Sequence, residues 1–222
     1  MNSKGTKRIC TRCGIAFYDL NKKPTPNKCY RHRTILKEEI IPNLKEKYKI
    51  LSAGYYIPQR LRSYASINDL DHTARIISGL KECKIDDLNY FTDYLSKIIS
   101  NDYDEDIVIC CVPSSKANYF ESGVHKLINE LCKKRNFING YDYIIRTENV
   151  PQKHLQSGYR TKDQDLKTIK LKGSNIFTEK KVLLIDDIMT TGNSIYVCRD
   201  KINEDKPTLV EFFTFGITKN EF

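Results

Sequence analysis

The residues best suited to chemistry lie at positions 182–194, where an apolar run leads into two adjacent carboxylates. Asp186 and Asp187 follow that run, and after them comes a small, hydroxyl-rich stretch, Thr190, Thr191, Gly192, Asn193 and Ser194. Adjacent carboxylates accept hydrogen bonds from a vicinal diol and favour positive charge that develops on a sugar ring. Gly192 lets the backbone approach a ligand closely, and the N–H groups of a helix start attract phosphate. The segment therefore predicts a site for a phosphorylated sugar.

The elements that must position these groups follow from the apolar pattern. Residues 182–185 are continuously apolar, which predicts a central strand of a parallel sheet covered on both faces. Residues 195–197 then indicate the first turn of a helix. The alternative is an ordinary strand, turn and helix, with Ser194 as the cap and Asp186 solvated. That alternative does not explain why the acidic pair, the glycine and the three hydroxyls occur together.

The segment resembles the phosphoribosyl pyrophosphate (PRPP) motif of type I phosphoribosyltransferases. It has four apolar positions, an acidic pair, two more apolar positions, Ile188 and Met189, and then Thr-Thr-Gly-x-Ser. The resemblance implies that PRPP binds along residues 186–194, with Mg2+ chelated by the ligand and with Asp186 and Asp187 as catalytic residues. Relatives that act on 6-oxopurines usually carry an acidic residue at the position of Thr190. A hypoxanthine–guanine enzyme is therefore disfavoured.

Length and composition limit the class of protein. A chain of 222 residues suffices for one α/β domain with a small appendage. No apolar run approaches the roughly 20 residues of a membrane span, and the polar start lacks the apolar core of a secretory signal. We expect a cytoplasmic protein with no membrane partner. Eight cysteines in that compartment favour metal ligation over disulfides.

Four residues near the start have the spacing of a structural zinc site: Cys10, Cys13, Cys29 and His32. They form Cys-x2-Cys and Cys-x2-His pairs, and a segment with few large apolar side chains needs such a metal to fold. The alternatives are free thiols with a surface histidine, or water or another group in place of His32. Residues 34–48 resemble a charged helix interrupted near Pro42. We expect a basic zinc module at residues 1–54 and an α/β domain at residues 55–222.

Charge is concentrated in the N-terminal region. Residues 1–64 contain 15 Lys and Arg against 4 Asp and Glu, net +11, whereas the remainder contains 22 against 24, net −2, and together these give the chain's +9. Such asymmetry suggests contact with a nucleic acid or another polyanion. A solvated basic face without a partner explains it equally well.

The rest of the chain alternates between strand and helix patterns. Apolar spacing predicts two helices within residues 74–100, separated near Lys84, then a strand at 107–112 and a helix around 124–131. A strand at 141–145, the strand of the motif, a helix to about residue 202 and a strand at 208–215 complete the series. This order predicts a parallel sheet with helices on both faces. Cys110 and Cys111 are expected to pack inside their strand.

Ser114, Ser115 and Lys116 follow the predicted strand at 107–112. Ligands collect at the carboxyl ends of parallel strands, and these residues match the position of the pyrophosphate-binding loop of type I phosphoribosyltransferases. The alternative is a plain loop with a serine cap. His72 and His125 have no partner at a suitable spacing, so surface or helix-face roles are expected for them.

Residues 146–176 form a long polar stretch that corresponds to the flexible loop closing over PRPP in this fold. Its cations are suited to shielding pyrophosphate: Arg146, Lys153, Arg160 and Lys162. The pattern of Gln152, Leu155 and Arg160 resembles a signature of the ComF family of competence-associated phosphoribosyltransferase-like proteins, although Asp163 stands where an asparagine is usual. Gly79-Leu80-Lys81 and the N-terminal module are similar to that family too. The resemblance implies a closing, catalytic contact from Arg160.

Three functions are compatible with these residues. One is an enzyme that displaces pyrophosphate from PRPP with a ring nitrogen or amine, an acceptor that no residue identifies. Another is a non-catalytic ComF-like protein that senses PRPP and contacts single-stranded DNA or a DNA-handling protein through the basic module. The third is a scaffold with an inactive site. The acceptor surface is expected from residues 55–105 and the chain's end, and a homodimer is possible.

Overall fold

The computed structural model describes residues 6–10, 16–18, 36–40, 50–99, 107–150 and 162–219. The chain divides into two compact units, Met1–Lys49 and Ile50–Phe222. The division falls before residue 50, earlier than the expected boundary at residue 54, because residues 50–52 pair with the last strand of the second unit. No helix among the described residues is both long enough and apolar enough to cross a bilayer.

The first unit contains a three-stranded antiparallel sheet. Strands β1 (Thr6–Cys10), β2 (Ala16–Tyr18) and β3 (Leu36–Ile40) lie in the order β2-β1-β3. The expectation of a helix over residues 34–48 is wrong at 36–40, since these residues pair with β1 along its whole length. Long-range pairing overrides a local helical preference here. Cys13, Cys29 and His32 lie outside the described residues, as does the side chain of Cys10, so the zinc site stays a prediction.

The second unit begins with two short strands and a helical layer. Its first elements are β4 (Ile50–Ser52), β5 (Tyr55–Tyr56), a 3-10 helix (Gln59–Tyr64), α1 (Ile67–Arg75), a π-helical segment (Ile76–Lys81) and α2 (Ile85–Ile98). Ser66 caps α1 by accepting a hydrogen bond from the backbone N–H of Asp69. The two helices expected within residues 74–100 are present, and they are separated at Lys84 as predicted.

The remaining elements build most of the central sheet. They are β6 (Ile107–Cys111), α3 (Gly123–Arg135), β7 (Ile138–Asn139), β8 (Ile144–Arg146), α4 (Lys162–Thr168), β9 (Ile169–Leu171), β10 (Lys181–Met189), α5 (Asn193–Glu204) and β11 (Leu209–Thr218). The strand order is β4-β11-β10-β6-β7, with β5 also paired to β11, and every described pairing in this sheet is parallel. The predicted α/β class with a parallel sheet is confirmed.

Helices cover both faces of this sheet. Ile107, Ile109 and Cys111 of β6 join one buried cluster with α2 and α3, while Val108 and Cys110 join a second cluster with α5. This alternation follows from the period of two along a strand, and it explains why β6 and residues 182–185 of β10 are apolar at every position. Cys110 and Cys111 are 0% and 1% exposed, so their predicted packing role is confirmed.

Two features of the second unit differ from the sequence-based expectation. The strand predicted at residues 141–145 is displaced: β8 begins at Ile144 and pairs antiparallel with β9 outside the main sheet, and β7 is the parallel neighbour of β6. The stretch 146–176 is also not structureless, since α4 and β9 lie within it. The positions of β7, β8 and β9 arise from strand pairing between residues more than 20 positions apart, which local patterns do not reveal.

Candidate functional site

The candidate site lies at the carboxyl end of β10. Strand β6 is last paired with β10 at Cys111 and Ile185, where the N–H of Val112 donates to the carbonyl of Ile185 at 2.9 Å. Strand β11 continues beside β10 as far as Ile217, opposite Met189. Past Ile185, the described partner of β10 is therefore β11 alone. Residues 186–189 of β10 therefore extend beyond its pairing with β6, at the edge where parallel sheets bind ligands.

Asp186 and Asp187 lie within this extended part of β10, beyond the four apolar residues. The N–H of Asp187 donates to Oδ1 of Asp186 at 2.9 Å, and the N–H of Ile188 donates to Oδ1 of Asp187 at 2.6 Å. Each carboxylate is thus oriented through one oxygen by local backbone, and both residues are partly exposed. Burial, followed by the charges of Asp186 and Asp187, raises the pKa of the neighbouring Cys111 thiol well above its usual range. Cys111 is therefore a neutral packing residue beneath the acidic pair.

Lys81 adds a cation to the acidic pair. Its Nζ lies 3.3 Å from Oδ2 of Asp187, and the two side chains are 38% and 31% exposed. Lys81 ends the π-helical segment. Within that segment Gly79 packs closely against Gly123, because a Cβ added to Gly123 would lie 2.5 Å from the Gly79 carbonyl oxygen. In the sequence, Leu80 and Lys81 stand out only through a family resemblance. The structure adds Lys81 to the candidate site.

A turn follows the acidic pair, and α5 begins immediately after it. Gly192 has φ +77°, and a Cβ there would lie 2.8 Å from the ring of Tyr196. Both constraints favour glycine. The first N–H groups of α5 have no acceptor within the helix, so they are suited to binding phosphate oxygens. The Thr190 and Thr218 hydroxyls are hydrogen-bonded at 2.9 Å, which links this turn to the end of β11.

The Ser194 hydroxyl has a partner inside the protein. Ser194 is 4% exposed and donates to Oδ2 of Asp165 at 2.9 Å. Its hydroxyl hydrogen is therefore committed to a buried carboxylate, and its backbone N–H is the group suited to phosphate. Thr190 and Thr191 are exposed.

A second loop, Ser114–Ser115–Lys116, follows β6 at the same edge of the sheet. The N–H of Lys116 donates to Oγ of Ser114 at 3.1 Å, and the N–H of Val150 donates to the Ser115 carbonyl at 2.9 Å. The Lys116 Nζ lies 5.1 Å from the centre of the Tyr119 ring and the residue is exposed. These bonds shape a loop that follows β6, the neighbour of β10, and that carries an exposed cation.

Arg146 has a different role from the one expected. It was expected to be a loop cation facing pyrophosphate, but its side chain is 0% exposed and its nitrogens bond inside the protein. Nε donates to the Ser114 carbonyl at 2.6 Å, Nη1 to Oγ1 of Thr168 at 2.5 Å, and Nη2 to Oδ1 of Asp165 at 3.0 Å. Arg146 is too deeply buried to reach a ligand, so that expectation is wrong.

The two histidines are more buried than their expected roles imply. His125 is 1% exposed, lies against the rings of Phe120 and Tyr141, and its Nδ1 is 2.6 Å from Oγ of Ser122. Burial lowers the pKa of His125 to about 4. His72 Nε2 is 2.8 Å from the Phe215 carbonyl, and burial lowers its pKa as well. Of the two expected roles, the surface role is therefore wrong for His125 and the helix-face role holds, because His125 is a neutral core residue on the buried face of α3.

The remaining candidates lie outside what the structure describes. Gln152, Lys153, Leu155 and Arg160 are among the undescribed residues, and only the backbone of Lys162 is described. Among the described residues, no three His, Cys, Asp or Glu side chains are grouped closely enough to hold a metal ion. The acidic pair offers carboxylate oxygens of the kind that Mg2+ prefers.

Comparison with known proteins gives distant matches. A family model described as a protein of unknown function (FYDLN_acid) matches residues 2–50, which include Phe-Tyr-Asp-Leu-Asn at positions 17–21. This match covers a minority of the chain and does not assign the whole protein to that family. A search of curated proteins found no match.

Solved structures of two phosphoribosyltransferases resemble the chain weakly. A hypoxanthine phosphoribosyltransferase from Staphylococcus aureus, in an orthorhombic crystal form, is 16% identical with a TM-score of 0.39, over 62% of this chain and 69% of that one. Its tetragonal form is 16% identical with a TM-score of 0.40, over 70% and 84%. A hypoxanthine-guanine-xanthine phosphoribosyltransferase is 21% identical with a TM-score of 0.38, over 62% and 71%. These values are too low to assign an activity.

Proposed function

We propose that this chain binds PRPP at the carboxyl end of β10 and transfers its phosphoribosyl group to a nitrogen nucleophile. The observation that supports the proposal is the combination of the acidic pair and the turn at Gly192 along one continuous strand and helix start. The acidic pair offers acceptors for a ribose diol, and the start of α5 offers N–H donors for the 5-phosphate. The Ser114–Lys116 loop lies beyond the neighbouring strand, β6, and is suited to pyrophosphate.

In the proposed reaction a bond forms between the acceptor nitrogen and C1 of the ribose. The bond from C1 to the pyrophosphate oxygen breaks, and pyrophosphate leaves with that electron pair. Asp186 and Asp187 hold the diol and stabilise the cationic ring, while Lys116 and Arg160 balance the charge that collects on pyrophosphate. Mg2+ bound with PRPP supplies further neutralisation of the phosphate oxygens.

The acceptor class follows from Thr190. Oxopurine enzymes resemble this motif but carry an acid at that position, whereas here the Thr190 hydroxyl is bonded to Thr218. A hydroxyl pair is a poor general base at neutral pH. We therefore propose an acceptor nitrogen that needs no carboxylate base, such as an amine or a base that is already deprotonated.

Thermal stability in the presence of PRPP and Mg2+ tests the binding assignment. Ligand that binds only the folded state stabilises it, and at 100 times Kd the gain is about 2.7 kcal/mol. Asp187→Ala is expected to abolish the shift in melting temperature. Asp71→Ala, an exposed acid on α1, is the matched control and is expected to keep it. An absent shift in the parent protein would remove the ligand assignment.

Pyrophosphate release separates an enzyme from a sensor. The full chain with PRPP and Mg2+ is assayed against a panel of nucleobases and aromatic or aliphatic amines. Release that depends on one acceptor, and that Asp187→Ala eliminates, establishes the transferase. Tight binding of PRPP without release over the whole panel supports the non-catalytic alternative.

A second candidate function rests on the charge of the N-terminal region. Its net charge of +11 suits a ComF-like protein that contacts single-stranded DNA, with a Zn2+ ion at Cys10, Cys13, Cys29 and His32. We test this in the full chain by neutralising Lys4, Lys7, Arg8 and Arg12, with Lys133, Lys134, Lys167 and Lys180 as controls. The N-terminal changes are expected to weaken DNA binding and to flatten its salt dependence. Equal loss in the control variant would contradict the assignment.

The thiols support a reducing compartment for this protein. None of the described cysteines, Cys83, Cys110, Cys111, Cys132 and Cys198, is in a disulfide, and four of them are buried. Free thiols in this number are typical of the cytoplasm. Thiol titration of the unfolded chain purified under anaerobic conditions tests this, with all of these cysteines expected to react.

A further inference from the structure

A buried ion pair connects the two loops that the proposed function assigns to phosphate groups. Arg146 is the last residue of β8, and Asp165 lies in α4, on the other side of residues 147–161. The guanidinium of Arg146 reaches the Ser114 carbonyl at 2.6 Å in one loop. The carboxylate of Asp165 accepts from the Ser194 hydroxyl at 2.9 Å in the first turn of α5. Three consecutive hydrogen bonds thus join Ser114 to Ser194.

Stability alone does not explain this pair. Both side chains are 0% exposed, and removing two charges from water costs free energy that their attraction often fails to recover. Replacing such a pair by apolar residues of similar volume is often neutral or stabilising. Thr168 adds a third bond to Arg146 and itself donates to the Gln164 carbonyl at 2.7 Å. A network in which each group has defined partners favours one geometry over its alternatives.

The ligand of the proposed function makes a fixed geometry necessary. PRPP carries its 5-phosphate and its pyrophosphate on one ribose ring, so both loops must bind groups at a set separation. A misplacement of about 1 Å in such a site costs about a hundredfold in rate. The bonds of Arg146 and Asp165 set the distance between the Ser114 loop and the start of α5.

We infer that Arg146 and Asp165 are positioning residues that couple the two loops, so that occupancy of the turn at Thr190–Ser194 orders the loop at Ser114–Lys116. This inference rests on the proposed function, and it adds a role that the ligand-contacting residues do not have. Arg146 and Asp165 act through the Ser114 carbonyl and the Ser194 hydroxyl rather than by touching the ligand.

Hydrogen exchange with ribose 5-phosphate as the probe tests the coupling. This compound has the diol and the 5-phosphate but lacks pyrophosphate, so its direct contacts are expected at residues 186–194. In the parent protein it is expected to slow exchange at residues 190–196 and also, about fivefold, at residues 113–118, the lower end of usual couplings between sites. In Asp165→Asn saturated with ribose 5-phosphate, the protection at residues 190–196 is expected to remain and the protection at residues 113–118 is expected to be lost.

Two further variants keep the experiment decisive. Thr168→Val removes the hydroxyl that accepts a hydrogen bond from Arg146, without removing a charge. It serves if Asp165→Asn does not fold, and it is expected to reduce the protection at residues 113–118. Asp205→Asn is the matched control, because Asp205 is a buried carboxylate at the far end of α5 that accepts from the N–H of Phe177 at 3.3 Å. It is expected to leave the protection at residues 113–118 unchanged.

The outcomes separate this inference from the proposed function. If ribose 5-phosphate protects neither region in the parent protein, the ligand assignment and the coupling both fail. If it protects residues 190–196 in every variant and Asp165→Asn keeps the parental protection at residues 113–118, the coupling alone is overturned. Loss of that protection in Asp205→Asn as well would also overturn it, because the effect would then follow any change near α5.

Discussion

Lys81 extends from the end of the π-helical segment to within 3.3 Å of Asp187. Both side chains are more than a quarter exposed, so solvent screens the pair and its contribution to folding is about 0–1 kcal/mol. Its effect on an anionic ligand is expected to be larger, because the ammonium lies beside the carboxylate that is proposed to hold the ribose. Lys81 therefore contributes to the charge of the site more than to the stability of the fold.

We predict that Lys81→Gln weakens Mg2+–PRPP binding about tenfold, the scale of one hydrogen bond to a charged group. Isothermal titration calorimetry measures the affinity, and Lys81→Arg is expected to retain most of it. Lys84→Gln is the control, because Lys84 is exposed and its Nζ lies 3.1 Å from Glu82. Parental affinity in Lys81→Gln would remove Lys81 from the site.

His125 is predicted to make stability depend on pH. Burial lowers its pKa to about 4 in the folded protein, below the value of about 6.5 in an unfolded chain. The unfolded state therefore binds the proton more tightly, so stability is complete above about pH 6.5 and is lost as the pH falls towards 4. The expected loss is about 3 kcal/mol, measured by urea unfolding across this range. His125→Phe should remove that part of the pH dependence, and an unchanged profile would contradict the assignment.

At the scale of elements, the turn between β10 and α5 depends on one backbone conformation. Gly192 has φ +77°, a region that residues with a side chain enter at a cost of about 1–2 kcal/mol. Gly192→Ala also places a methyl group against Tyr196, so we predict a loss of at least that size by urea unfolding, together with weaker binding of ribose 5-phosphate. Gly173→Ala is the control, because its Cβ would meet only Ile176, at 3.7 Å. Equal stability of the two variants would show that the turn tolerates a side chain.

Elements with continuous apolar patterns could be predicted from the sequence, and those formed by distant contacts could not. Strands β6 and β10 are apolar at consecutive positions because both faces of the sheet are covered. By contrast, β8 is held by β9, and α4 is anchored through Asp165 to Arg146. Within the site, the motif identified the acidic pair and the glycine turn. The contacts of Lys81 and Asp165 had no local signal, because each meets its partner across at least 19 positions of the chain, and Lys81 stood out only through a family resemblance.

At the scale of the whole molecule, the two units differ in how each is expected to be stabilised. The second unit has two buried apolar clusters against its sheet. The first contains three short strands and the proposed zinc ligands. A segment of this size usually needs a metal or other cross-link to fold.

We predict that one Zn2+ ion per chain is found by mass spectrometry and that a chelator removes it. After removal, amides of β1 and β3 are expected to exchange faster, because closing the metal site holds their connecting segments. Cys13→Ser and Cys29→Ser should have the same effect, whereas Cys83→Ser, at a partly exposed free cysteine, should not. If hydrogen exchange of the β1 and β3 amides were unchanged in the metal-free chain, a structural role for the metal would be excluded.

The central claim, that this molecule binds PRPP at the end of β10, is tested most directly by calorimetric titration of the full chain with PRPP. With Mg2+ present we expect one PRPP bound per chain, and we expect no binding with Asp187→Ala or after chelation of Mg2+. Parental binding by Asp187→Ala would place the ligand elsewhere. An absence of binding by the parent chain at millimolar PRPP would contradict the account.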